Sequence, residues 1–62
     1  MYKKFEALLA KNNITAYRVA SDTGIATATL TAWKNGTYTP KIDKIMLIAR
    51  YFGVPIEYFL ED

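Results

Sequence analysis

The side chains that could do chemistry here are few, and their types narrow what that chemistry is. There is no His and no Cys in 62 residues, so the usual general bases, thiol nucleophiles and zinc ligands are missing. The carboxylates are scattered, and no glycine-rich phosphate loop is present. An enzyme reading fails on this inventory, and no cofactor or metal is implied. What remains is hydrogen bonding and positive charge. Both gather in and just after residues 15–36, TAYRVASDTGIATATLTAWKNG, where hydroxyls, an amide and Lys34 stand among unusually small side chains. A solvent-facing helix normally carries Lys and Glu. Their absence between Ala26 and Trp33 predicts a surface kept bare for close approach to a partner.

The charge distribution suits a polyanion. Net charge is only +2, but three of the six acids, Glu57, Glu61 and Asp62, sit at the C-terminal end. Residues 1–56 carry eight bases against three acids, hence +5. Ordinary solubilising charge would give a similar imbalance, so the pattern points to a partner without naming one.

A chain of this length builds one domain, spanning 1–62, and buries only about 60% of the surface its unfolded form exposes. The composition compensates, with 52% hydrophobic and 15% aromatic residues. No apolar run approaches the roughly 20 residues that span a bilayer, and the stretch behind Lys3-Lys4 is too short for a signal sequence. A soluble, cytoplasmic protein is expected.

Five helices are predicted to position the bare surface. Residues 2–12 form the first, with Phe5, Leu8 and Leu9 inward and Asn12-Asn13 as its stop. Residues 15–23 form the second. Thr15 is its N-cap, Ile14 is placed to staple onto Val19, and Gly24 ends it with positive φ. Residues 27–35 form the third, anchored by Leu30 and Trp33 and ended at Asn35-Gly36. Its three threonines are poor helix formers, so packing must hold it. Residues 41–52 form the fourth, with Ile42, Ile45, Ile48, Ala49 and Phe52 as the core stripe. After Gly53, Pro55 opens a fifth, with Phe59 and Leu60 closing onto the core. Tyr51 and Tyr58 are core or a dimer patch.

Two short helices around a Gly-containing turn, with small Ala20 at the crossing and Ile25 plugging the turn, follow the logic of a helix-turn-helix, about 15–36 here. The ordered set Val19-Ala20, Gly24-Ile25, Leu30, Trp33, Asn35-Gly36, Pro40, Ile45, Ile48-Ala49, Phe52-Gly53-Val54 and Leu60 resembles the Cro/CI-type regulators, the phage-repressor-like or XRE family, over nearly the whole chain. The resemblance implies an all-α, compact five-helix bundle of the lambda-repressor-like kind. It implies a bacterial or phage-encoded transcriptional regulator that binds double-stranded DNA, with the third helix in the major groove.

Carried over residue by residue, the resemblance gives Ala26, Thr27, Ala28, Thr31 and Ala32 the positions that touch base edges. Thr15, Ala16 and Tyr17, at the start of the second helix, match positions near one phosphate, reached through free N–H groups and the Thr15 hydroxyl. Lys34, Asn35, Thr37, Tyr38 and Lys41 match the opposite phosphate edge. Two roles stay open for Tyr17: its hydroxyl on a phosphate, or its ring over the first helix. A homodimer reading two half-sites about 34 Å apart is the implied assembly on DNA.

The sequence departs from the family in three places, one of them Lys34, which stands where the family often has an acid and so puts a common internal ion pair in doubt. Ala26 stands where a Ser or Thr usually caps the recognition helix, and Thr27 could cap instead, moving the start by one residue. The reading face also lacks Gln, Asn and Arg, which removes bidentate contacts to adenine or guanine. Ala and Thr methyls suit thymine methyls, so a modestly specific domain favouring T-containing positions is expected, with much of its specificity from DNA shape or from Lys34 and Asn35. The other class open to this fold is a protein-interaction module such as an antitoxin or adaptor. The chain could also be a piece of a longer regulator.

Overall fold

A computed structural model describes residues 1–60. Glu61 and Asp62, counted above in the acidic end, lie outside the described residues. Five helices follow in chain order: α1 (Tyr2–Asn12), α2 (Ala16–Thr23), α3 (Thr27–Lys34), α4 (Ile42–Phe52) and α5 (Glu57–Leu60). No strand occurs among the described residues. None of the helices is long and apolar enough to cross a membrane.

The helices start and stop where local chemistry dictates. Asn13 takes the left-handed conformation after α1, at φ 53°, and the Ile14 N–H reaches back to the Leu9 carbonyl. The Thr15 side chain caps α2 by accepting from the Arg18 N–H at 3.2 Å. Gly24 ends α2 at φ 80°, with its N–H on the Ala20 carbonyl at 2.9 Å, the single-bond left-handed cap. Thr23 tightens the same turn. Its hydroxyl donates to the Val19 carbonyl at 2.7 Å and accepts from the Ile25 N–H at 3.4 Å.

α2 packs against both α3 and α4, and α1 closes against α5. Phe5, Leu8, Val19, Ala20, Ile25, Leu30, Trp33, Ile45, Ile48, Ala49 and Phe59 form the buried core. Ala20 and Ile25 take their expected places at the α2–α3 crossing. Aromatic rings tie α1 to α3: Phe5 stacks on Trp33 with centroids 5.3 Å apart, and Tyr2 meets Trp33 edge-on at the same distance. Such pairs add about 0.5–1.5 kcal/mol each beyond area burial. They give α3 the tertiary support its threonines require.

Two expected core residues lie outside the core. Ile42 is 56% exposed and Leu60 55% exposed. Lys41 is the N-cap of α4, so Ile42 is its first residue and is turned about 60° away from Ile45 around the axis. α5 has four residues, and Phe59 alone fills its inward face. Phe52 is half-buried, edge-on to Phe5 at 6.1 Å. Pro40, expected only to mark a boundary, is buried.

Candidate nucleic-acid interface

The outward surface of α3 is built from its failure to carry anything large. Leu30 and Trp33 turn inward, which leaves Thr27, Ala28 and Thr31 exposed, with Ala26 exposed just before them. Ala32 is half-buried and lies at the edge of this surface. Among the described residues, the Thr27 and Thr31 hydroxyls have no hydrogen-bond partner within the chain, whereas those of Thr15, Thr23 and Thr37 do. A surface of methyls and free hydroxyls therefore faces solvent along most of the helix.

The start of α3 is open. Ala26 occupies the N-cap in extended conformation (φ −64°, ψ 139°) with no side-chain cap. Thr27 does not replace it as cap: the helix begins at Thr27, and Ala26 supplies the first accepting carbonyl, to the Thr29 N–H at 3.0 Å. The Thr27 and Ala28 N–H groups at this end have no intrahelical acceptor.

The far end of α3 is closed tightly. Gly36, at φ 76°, lets the Thr37 N–H reach the Ala32 carbonyl at 3.0 Å and its own N–H reach Trp33 at 3.1 Å, a Schellman cap. The Thr37 hydroxyl donates to the same Ala32 carbonyl at 3.2 Å. Asn35 is right-handed (φ −81°, ψ −5°) and its exposed side chain is free of any capping bond. Lys34 and Lys41 are exposed on either side of this loop, and Tyr38 is 46% exposed between them.

No acid stands between Asp22 and Asp43. Among the described residues, Lys34 and Lys41 form no ion pair; the pair that does form, Arg18 with Asp22 at 2.9 Å, neutralises a base on α2. The segment that holds α3 and the following loop thus carries Lys34 and Lys41 and no negative side chain of its own.

Tyr17 is 74% exposed, which removes the reading that its ring covers α1. Its neighbour Ala16 is half-buried, so Ala16 offers an interface only its backbone N–H. Tyr2, Ala16, Tyr17, Thr27, Leu30, Thr31 and Lys34 line an open groove of about 390 Å³ between the start of α2 and the face of α3. The residues expected at the α2 start and those of α3 therefore share one side of the molecule.

Tyr51 and Tyr58, expected in the core or in a dimer patch, are both half-buried. Tyr51 donates to Asp22 at 2.6 Å, and Lys4 lies over the Tyr58 ring at 5.4 Å. Both rings are used within the chain. The Tyr51–Asp22 bond was not legible in the sequence, because 29 residues separate its partners.

The Cro/C1-type HTH DNA-binding domain matches residues 4–62. The chain belongs to this family. A relative is the cryptic phage CTXphi transcriptional repressor RstR of Vibrio cholerae, 29% identical over 59 residues, covering 95% of this chain and 53% of the relative. The chain thus spans about half the length of the curated relative it matches. No solved structure matches the chain.

Proposed function

We propose that this Cro/C1-type domain is the sequence-reading part of a transcriptional repressor acting in the cytoplasm. The observation that carries the reading is the bare face of α3, whose Thr27, Ala28 and Thr31 are exposed and flanked by cationic residues with no intervening acid. α3 lies in the major groove, which is about 12 Å wide and admits one helix. Ala26, Thr27, Ala28 and Thr31 meet base edges, with Ala32 at the margin. Thr15, Ala16 and Tyr17 take one phosphate edge through hydroxyls and α2 N–H groups. Lys34, Asn35, Thr37, Tyr38 and Lys41 take the other. RstR is named a transcriptional repressor, and that supports repression as the outcome here.

Two copies on a palindrome place their α3 helices one helical turn apart, about 34 Å. With Lys34 and Lys41 of each copy on a phosphate, about four phosphates are neutralised, and affinity falls roughly a hundredfold between 50 and 200 mM salt. Fluorescence anisotropy on a duplex chosen by in-vitro selection measures this slope. Little DNA affinity even at low salt would instead identify a protein-interaction module.

Base reading is tested by the same duplex with thymine replaced by uracil, which deletes only the groove methyl. Each thymine methyl packed on Ala28 or Thr31 is worth about 0.8 kcal/mol, about fourfold in affinity. Selected sites with strict guanine requirements beneath α3, and no response to uracil, would count against methyl reading.

A further inference from the structure

The outer face of α4 sets three apolar residues among the exposed charges Asp43, Lys44 and Arg50, where a solvent-facing helix is normally polar throughout. Ile42 is more than half exposed, and Met46 and Leu47 are each 39% exposed. Asp43 and Arg50 flank the Met46-Leu47 pair symmetrically, three residues before Met46 and three after Leu47. Seven residues make two turns, so these two charges lie on one face of the helix about 10 Å apart along the axis. That separation keeps them from pairing with each other. Among the described residues neither finds another ion-pair partner, since the one ion pair is Arg18–Asp22.

We propose that this face binds a second copy of the chain, α4 antiparallel to α4, with a two-fold axis between Met46 and Leu47. A two-fold contact requires a surface complementary to itself. The order acid, Met46-Leu47, base meets that requirement. Turning one helix end for end sets Asp43 of each copy opposite Arg50 of the other, twice over, around a centre of methionine and leucine. A parallel arrangement would set like charges together. An unrelated partner would have no reason to match charges equidistant from an apolar midpoint. Beside this strip, Met46, Ala49, Arg50, Val54, Pro55 and Ile56 line a shallow groove of about 220 Å³, which gives the contact room to extend toward α5.

Stable interfaces bury about 1,200–2,000 Å², and one helix face with its adjoining groove stands at the low end. Association in free solution is therefore weak, and a palindrome that holds two copies side by side strengthens it. The proposal deepens the two-fold assembly above and rests on it, but not on the base contacts assigned to α3.

The test uses two singly substituted chains, Asp43→Arg and Arg50→Asp. In either one alone, both symmetry-related pairs become repulsive, and self-association weakens by about tenfold or more. Mixed, the two chains restore both pairs, so a heterodimer forms with affinity near that of the unsubstituted chain. Sedimentation equilibrium at low salt, up to about 1 mM protein to reach weak affinities, reads the outcome. Each substitution also removes a charge suited to its helix end, Asp43 in the first turn and Arg50 in the last. A gain on mixing cannot come from that loss, because the same two chains are present before and after. Leu47→Ser, which leaves both charges in place, weakens the dimer as an independent check.

An unsubstituted chain that stays monomeric throughout, or a mixture no more associated than its parts, overturns the proposal. Binding of a single half-site, measured alongside, separates the two readings. If it persists without dimers, the α3 assignment stands and the α4 surface falls. If dimers form and no duplex is bound, the reverse holds.

Discussion

Tyr51 on α4 donates its hydroxyl proton to Asp22 on α2 across 2.6 Å, and the same carboxylate oxygen, Oδ2, accepts from Arg18 Nε–H at 2.9 Å. One oxygen thus joins the first helix of the helix-turn-helix to the helix behind it. The Tyr51 bond, then the Arg18 bond, hold the Asp22 carboxyl below its ordinary value of 3.8. The bond to Asp22, then desolvation, push the Tyr51 phenol above its ordinary 10.0.

These shifts fix a pH window. A depressed carboxyl stabilises the fold fully above 3.8, and that contribution is lost as pH falls through the lower folded value. A raised phenol stabilises fully below 10.0, and that contribution is lost as pH rises through the higher folded value. Tyr51→Phe should lower the melting temperature modestly, with the deficit greatest between these limits and shrinking beyond both. Parallel thermal melts of the two proteins across pH measure it. Parallel curves with a constant gap would show that the bond does not form in solution.

Ala28→Glu places a carboxylate on the exposed face of α3. Glu is a good helix former, and an acid near a helix N-terminus is favourable, so stability should change by less than about 0.5 kcal/mol. Against a phosphate-lined groove the same charge should weaken duplex binding by about a hundredfold or more. Thermal melts and anisotropy on one preparation separate the two effects. Unchanged DNA affinity would remove α3 from the groove.

The elements that position α3 were legible because each is signalled within one turn of chain. Thr15 caps, Asn13 and Gly24 take left-handed conformations, and Leu30 and Trp33 sit three apart. Ile42 and Leu60 differ from expectation because an apolar residue at the first or last position of a helix has periodicity but no neighbouring turn to fix which way it faces. Pro40 gave no sign of its burial, since its boundary role and its packing use the same residue. The mirror order of Asp43 and Arg50 was written in the sequence, but it gained meaning only once Met46 and Leu47 between them proved exposed. At the interface, residue types indicated a bare surface; the half-burial of Ala32 depends on how the loop folds back at Thr37.

Gly24 is needed for its backbone and not for its size. A Cβ there would meet nothing within 4 Å, yet φ is +80°. Gly24→Ala should therefore cost about 1–2 kcal/mol from left-handed strain alone, lowering the melting temperature by about 4–8 °C for each kcal/mol in a domain of this size. Gly24→Asn should cost less, because Asn tolerates this region. Equal losses for the two would point to a missed steric contact.

The open start of α3 sets stability against DNA binding at one residue. Ala26 has the extended geometry of an N-cap but no oxygen to accept with. Ala26→Ser should raise stability by about 1 kcal/mol, visible as a higher melting temperature. Ala26→Asp should raise it at least as much, because its charge also meets the positive end of the helix. The two should part on DNA. Ser adds no charge and should leave affinity within a few-fold, whereas Asp brings a carboxylate to the edge of the groove and should weaken binding by about tenfold or more. If Asp stabilises the fold and binds duplex as well as Ser does, the beginning of α3 does not approach the phosphates, and the helix must enter the groove by another part of its length.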